Sequence, residues 1–259
     1  MIDAAYHRPA SLAEAAALAA RGGDVAYLAG GHTLIPAMKS RLRAPDALVD
    51  LSAIAGLDGI ALEGDRLRIG AMARHAAVAD GEDVKRAIPA LAKLVSLIGD
   101  PQVRNRGTLG GSVANNDPAA DYPAAVLALD AVIETDRGSH AADDFFQGMF
   151  ATALADGEII TRIGFRVPDA AAYAKFAHPA SRYALVGVFV ARFADGVRVA
   201  VTGAGPGTFR WTAAEAAIAG GGVVPALAPD DLNSDIHASA EYRAHLAGVM
   251  LARALGDLK

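Results

Sequence analysis

The sequence predicts a mixed α+β chain, with an α/β part reaching to about residue 170 and a smaller α+β domain over residues 171–259. Three observations predict it. The chain opens in the order strand, helix, strand, glycine loop, as an α/β unit does. Apolar residues at Val84, Ile88, Leu91, Leu94, Val95 and Ile98 keep helical spacing and put buried helix in the middle. Beyond Pro168-Asp169 and three alanines, the clearest boundary in the chain, three strands follow one another and helices come after them.

In order, Ala4-Ala5-Tyr6-His7-Arg8 reads as a strand ended by Pro9. Ser11-Leu12-Ala13-Glu14 reads as a capping box opening an alanine-rich helix that Gly22-Gly23 stops. Val25 to Leu28 is the next strand and delivers Ala29-Gly30-Gly31-His32-Thr33. The helix after that loop carries Lys39, Arg41 and Arg43 as a solvated basic face, or else as a docking face. Ala47 to Asp50 and Arg66 to Ile69 read as strands, the second after a Gly64-Asp65 turn. His75 reads as an ordinary polar residue at a helix start. Pro89 starts a second helix within the apolar run, and Gly99 ends it.

Past residue 121, Tyr122-Pro123 opens an apolar helix, and strands follow at Ala131 to Glu134 and Ile159 to Val167. The C-terminal strands are placed at Tyr173 to Phe176, Ala184 to Phe193 and Val197 to Thr202, with an Asp195-Gly196 turn. Thr212-Ala213-Ala214-Glu215 reads as a second capping box, and Tyr242, Leu246, Val249 and Met250 line one face of a last helix. Gly203-Ala204-Gly205-Pro206-Gly207 imitates a dinucleotide fingerprint, but its proline lacks an amide and no helix follows, so it is read as a turn.

Composition narrows the function. The 259 residues are 53% hydrophobic and 20% charged, as a soluble globular protein is, and the net charge of −5 gives no general attraction for nucleic acid or anionic membrane. The acidic start Met1-Ile2-Asp3 has no apolar region after it, and no apolar run reaches transmembrane length, so a cytoplasmic protein is expected. With no cysteine the chain has no disulfide, thiolate nucleophile or ordinary iron–sulfur cluster of its own. No His-x-x-His, HExxH or acidic triplet suggests a metal site, and no G-x-S-x-G elbow supports a serine nucleophile.

The chemistry concentrates in two glycine-rich stretches. Arg104 to Asp121 has no apolar period and reads as a loop in which Gly107, Gly110 and Gly111 let backbone amides approach a ligand and form a concave nest for an anion. Thr108 and Ser112 add hydroxyls, so the group bound is a phosphate or diphosphate. Ala29-Gly30-Gly31-His32-Thr33 has the same character. Two such stretches suggest one diphosphate held from two sides.

With Asp117-Pro118-Ala119-Ala120-Asp121-Tyr122-Pro123-Ala124, these motifs resemble the flavoprotein (medium) subunit of molybdenum hydroxylases, closest to that of aerobic carbon monoxide dehydrogenase. The signatures of that family read approximately AGGHS and TIGGN. Ala29, Gly30, Gly31, His32 and Thr33, continued by Leu34, match the first; Thr108, Leu109, Gly110, Gly111 and Ser112 match the second. Thr33, Leu109 and Ser112 depart from the usual Ser, Ile and Asn.

The resemblance spans nearly the whole chain. It implies a p-cresol methylhydroxylase-type FAD-binding fold of two α/β lobes, about 1–54 and 55–170, and a C-terminal flavoprotein domain with a three-stranded sheet and helices. It implies noncovalent FAD, with Asp121 near the cofactor, meeting ribityl hydroxyls or the flavin amide edge; a helix N-cap is the alternative for Asp121. Tyr183, in Pro179-Ala180-Ser181-Arg182-Tyr183-Ala184, matches a tyrosine that stands beside the flavin. Lys175 reads as a solvated strand lysine, or else as a positive neighbour of the flavin.

The expected function is an oxidoreductase subunit that carries electrons. They come from iron–sulfur clusters of a small partner, behind a molybdopterin large partner, and pass through FAD to quinone, NAD or oxygen in a dimer of heterotrimers. A stand-alone flavin oxidase, with His32 bonded to the flavin, is the alternative; the short chain after residue 170 argues against it. Lys39, Arg41, Arg43, Arg104 and Arg106 are candidate docking contacts. Carbon monoxide, an aldehyde, a purine or another N-heterocycle all stay open as the partner's substrate.

Overall fold

The structure is a computed structural model that describes residues 3–258; Met1 and Ile2, where the reading of the N-terminus began, lie outside them. The first lobe holds β1 (Ala5–His7), α1 (Leu12–Ala19), β2 (Val25–Leu28), α2 (Leu34–Lys39) and β3 (Ala47–Asp50). Its three strands run parallel in the order β1-β3-β2. Ser11 Oγ accepts from the Glu14 amide at 3.2 Å, while the Glu14 carboxylate reaches one residue further back than a capping box requires and accepts from the Ala10 amide at 2.8 Å. Helix α2 stops at Lys39, so Arg41, with φ +59°, and Arg43 lie beyond it, and Arg43 pairs with Asp24 at 3.2 Å.

The second lobe contains β4 (Ile60–Glu63), β5 (Arg66–Gly70), α3 (His75–Asp80), α4 (Glu82–Ala87), α5 (Pro89–Ser96), α6 (Pro101–Arg104), α7 (Leu109–Asn115), α8 (Tyr122–Ala128), β6 (Val132–Thr135), β7 (Ser139–Ala141), α9 (Ala142–Phe145), β8 (Phe146–Gly148), β9 (Ala151–Thr152) and β10 (Ile160–Arg166). An antiparallel sheet runs β4-β5-β10-β6-β7, with β10 pairing β5 from Arg162↔Gly70 to Arg166↔Arg66. The helical run 84–98 is broken at Pro89 as expected. Ile88 leaves helical geometry at φ −142°, because a following proline disfavours the α region.

The C-terminal part has β11 (Ala170–Ala177), β12 (Ala184–Phe193), β13 (Gly196–Thr202), β14 (Phe209–Arg210), α10 (Thr212–Ala219) and α11 (Ala240–Gly256). Its sheet has four antiparallel strands, not three: the two-residue β14 pairs with β13 just after the glycine turn and is too short to carry a period. The alanines after Asp169 belong to β11. Thr212–Glu215 is not a capping box. No side chain caps α10, and the buried Glu215 carboxylate instead accepts from the Val199 amide at 2.9 Å and from Arg210.

One apolar core joins lobe and sheet. Leu67, Ile69, Leu91, Leu94, Leu109, Val113, Tyr122, Ile163 and Phe165 cluster with Tyr173, Phe189 and Phe193 of the C-terminal strands. The other face of β12 and β13, with Val188, Val190, Val199 and Val201, packs on Leu246, Met250 and Leu251 of α11. Such alternation of faces along a strand explains why β12 reads as a continuous apolar run.

Candidate functional site

The two glycine-rich stretches, about 75 residues apart, meet in the fold. A Cβ on Gly30 would lie 2.3 Å from the Arg106 carbonyl oxygen and 2.7 Å from Gly107 Cα, so the backbones touch there and only glycine fits. Gly31 has φ +73°, which turns the chain from β2 into α2. From Gly30 to Leu34 the amides have no protein acceptor among the described residues, and the first amide of α2 to be satisfied is that of Ile35, on the Gly31 carbonyl. Consecutive unpaired N–H groups on one turn are what an anion needs.

The second stretch differs from its reading as a loop. Residues 109–115 form α7, capped by Thr108, whose hydroxyl accepts from the Gly111 amide at 3.2 Å. The Leu109 and Gly110 amides donate to the carbonyls of Ala73 and Ala71 at 3.0 and 2.8 Å, and the Ser112 amide donates to Thr108. The amides expected to bind phosphate are thus already bonded within the protein. Gly110 is needed because a Cβ would strike Ala71 at 2.5 Å, and Leu109 points into the core. What this wall offers is hydroxyls. Thr108 Oγ1 keeps its proton to donate while accepting from Gly111, and Ser112 also lines the cleft.

Both walls open onto one cleft of about 1160 Å³, more than a drug-sized ligand fills. Ala29, Gly30, Gly31, His32, Thr33, Leu34, Thr108, Gly110, Gly111, Ser112, Asp121 and Tyr183 all line it; of the residues read as cofactor-binding, Leu109 alone does not. Of the basic residues, Arg104 turns its guanidinium back onto the Ile98 carbonyl at 2.9 Å, while Lys39, Arg41 and Arg106 are exposed.

Asp121 stands at the N-cap position of α8, but its side chain makes no capping hydrogen bond to the helix. It is 5% exposed; its Oδ1 accepts from Tyr173 Oη at 2.5 Å and its Oδ2 from Lys175 Nζ at 2.9 Å. Lys175 is therefore not solvated. Its side chain is 2% exposed, and the ammonium also donates to the Leu97 carbonyl at 3.3 Å. Burial pushes the Asp121 carboxyl up, against the opposing pull of Lys175 and Tyr173. The segment carrying Asp121 is fixed from the C-terminal sheet, since Thr202 Oγ1 donates to the Pro118 and Ala120 carbonyls and the Gly203 amide donates to Pro118.

Among the lining residues that the sequence reading did not assign to the site are His75 and Phe150. His75 begins α3 as expected but is only 5% exposed, with Nδ1 buried and unpartnered, its ring 5.4 Å from that of Tyr122, and Nε2 2.6 Å from where a Gly107 Cβ would sit. Burial, helped by His32 and Arg104, lowers its pKa to about 4, so it is neutral near pH 7. Phe150 stands at the tip between β8 and β9, exposed at φ +55°. The left-handed Asn116 holds that tip, its amide donating to the Gly148 and Ala151 carbonyls at 2.7 Å each. No local pattern marks either residue.

Among the described residues no group of three or more His, Cys, Asp or Glu is placed to hold a metal ion, and no helix is long and apolar enough to cross a membrane. The site fits a diphosphate ester with a polar chain and a ring: unpaired amides at one wall, hydroxyls at the other, a carboxylate and aromatics beyond.

Comparison with known proteins agrees. The family described as the FAD binding domain in molybdopterin dehydrogenase matches residues 2–169. The carbon monoxide dehydrogenase medium chain of Afipia carboxidovorans is 37% identical, over 98% of this chain and 96% of its own. The nicotine 6-hydroxylase medium subunit of Paenarthrobacter nicotinovorans is 36% identical, over 96% and 95%. A crystal structure of Cu,Mo-CO dehydrogenase in its cyanide-inactivated form superposes with a TM-score of 0.90 at 35% identity, covering 99% of this chain and 98% of that one. This chain therefore belongs to the FAD-binding medium subunits of the carbon monoxide dehydrogenase and xanthine dehydrogenase family of molybdenum hydroxylases.

Proposed function

We propose that this subunit receives electrons from iron–sulfur clusters of a small partner, themselves fed by a molybdopterin-bearing large partner, and passes them through noncovalently bound FAD to an external acceptor such as quinone, NAD or oxygen. The observation that carries the reading is the free-amide turn of residues 30–34 packed against Arg106-Gly107 at the mouth of one large cleft. When bound, FAD supplies the redox chemistry. The chain binds the diphosphate with the amides of Gly30 to Leu34 and the hydroxyls of Thr33, Thr108 and Ser112. Asp121 and Tyr183 orient and cover the remainder, and Leu109 supports α7 from behind. His32 is a lining residue, not a covalent anchor.

In this reading residues 1–170 form the FAD-binding unit and 171–259 a C-terminal flavoprotein domain. We place the assembly in the cytoplasm as a dimer of heterotrimers; the medium-chain and medium-subunit names of relatives support a complex of several subunits. Relatives named for carbon monoxide and for nicotine match about equally, so the substrate class lies with the large partner.

The test is reconstitution. The chain should bind FAD in one-to-one ratio and release it into the supernatant on acid precipitation. It should contain no iron or molybdenum, and its flavin should stay oxidised with carbon monoxide, aldehydes or purines until both partners are added. Flavin retained in the pellet, or direct anaerobic bleaching by a substrate, would establish the stand-alone oxidase instead.

A further inference from the structure

Asp121 poses an electrostatic problem that the FAD reading alone does not resolve. A bare carboxylate on the wall of a cleft that holds a diphosphate would repel it. The structure answers with two residues of β11, two positions apart and so on one face of the strand, which reach Asp121 from the C-terminal sheet. Tyr173 Oη donates to one carboxylate oxygen at 2.5 Å and Lys175 Nζ to the other at 2.9 Å. Both donors are buried, and Lys175 is held in turn by the Leu97 carbonyl. A carboxylate offers about four lone-pair positions. Two are taken here, which locks the plane of the group and leaves acceptor capacity towards the cleft that Asp121 lines.

We propose that Tyr173 and Lys175 are positioning residues that turn Asp121 into a charge-compensated hydrogen-bond acceptor, aimed at a neutral N–H or O–H of the flavin nucleotide rather than at its phosphates. The proposal rests on the FAD reading. An ion pair presents little net charge, so the acceptor works without repelling the dianion bound by the turn of residues 30–34. Removing the ammonium while keeping the carboxylate leaves an uncompensated buried charge, the costly half of such a pair. Both determinants come from β11, so this part of the acceptor does not exist without the C-terminal sheet.

Charge compensation and mere packing give opposite signs in a double variant. Lys175→Gln keeps an N–H donor and most of the stem. It should weaken FAD binding, read by quenching of flavin fluorescence, on the order of tenfold at low salt, and by less at high salt, because the lost interaction is between charges. Asp121→Asn combined with Lys175→Gln restores a neutral pair and should bring the affinity back to within about threefold of wild type. Unchanged affinity in Lys175→Gln, or a double variant weaker than Lys175→Gln, overturns the proposal. Should Lys175→Gln fail to fold by circular dichroism, Tyr173→Phe decides: a loss of about threefold supports it, and unchanged affinity overturns it. If the wild-type chain itself does not bind FAD, the functional reading fails first, and the two failures are told apart.

Discussion

At the scale of single residues the site depends on groups whose burial differs from what their type suggests. His75 is a polar residue enclosed by Tyr122 and Gly107 with one nitrogen unpartnered, an arrangement that water would relieve in the unfolded chain. Its pKa of about 4 lies below the ordinary 6.5. As pH falls through the window from 6.5 to 4, the unfolded chain takes up a proton that the folded chain refuses. Stability contributed by neutral His75 is complete above the window and is lost within it, by on the order of 3 kcal/mol at its lower end. Urea denaturation at pH 7 and pH 4.5 should therefore show a steeper loss for wild type than for His75→Gln; equal losses would refute the buried neutral imidazole. Gly30 makes a different demand. Because a Cβ would sit 2.3 Å from a backbone oxygen, Gly30→Ala must move the turn off Arg106-Gly107. FAD affinity should fall at least tenfold, on the order of a lost charge-assisted hydrogen bond, while far-ultraviolet circular dichroism stays unchanged.

Among the elements, α7 decides how the second glycine stretch works. Residues 71–75 lie alongside 107–110: the Leu109 and Gly110 amides donate to the Ala73 and Ala71 carbonyls, the His75 amide donates to the Gly107 carbonyl, and α7 buries Leu109 and Val113. The glycines therefore serve close packing against Ala71 and Thr108, and the Thr108 hydroxyl serves the helix and the cleft together. Thr108→Ala should cost about 1 kcal/mol of stability as a lost N-cap, together with FAD affinity, whereas Thr108→Ser should preserve both; thermal melts with and without FAD measure the two effects. Gly111→Val crowds the Thr108 hydroxyl at 2.9 Å and Ala29, so it should abolish FAD binding without unfolding the chain. Stoichiometric FAD in that variant would show that α7 does not face the cofactor.

Over the whole molecule, the C-terminal sheet is no appendage. Tyr173, Phe189 and Phe193 belong to the same apolar cluster as Leu67, Leu91 and Phe165, and Thr202 and Gly203 hold the segment before Asp121. Calorimetry of the chain should show one cooperative transition, since a shared core couples the parts. Residues 1–169 alone should expose that cluster and fail to melt cooperatively; a sharp independent transition in that fragment would show that the core is divisible.

The sequence by itself determined much of this protein. Periodicity fixed α5 and the strands from β10 to β13, Pro89 placed a helix break, and the absence of cysteine excluded an iron–sulfur centre of its own. The glycine pairs and hydroxyls carried the resemblance to the family, because close backbone approach, at Gly30 to Arg106-Gly107 and at Gly110 to Ala71, restricts residue type locally. Only the tertiary structure decided which amides remain free. Those of residues 30–34 do, while those of 109–111 are taken by Ala73, Ala71 and Thr108, and no local pattern reveals an acceptor about 35 residues away. In the same way it decided that Lys175 is buried on Asp121 and that His75 is enclosed, since a side chain's solvation is set by whatever packs over it from elsewhere in the chain.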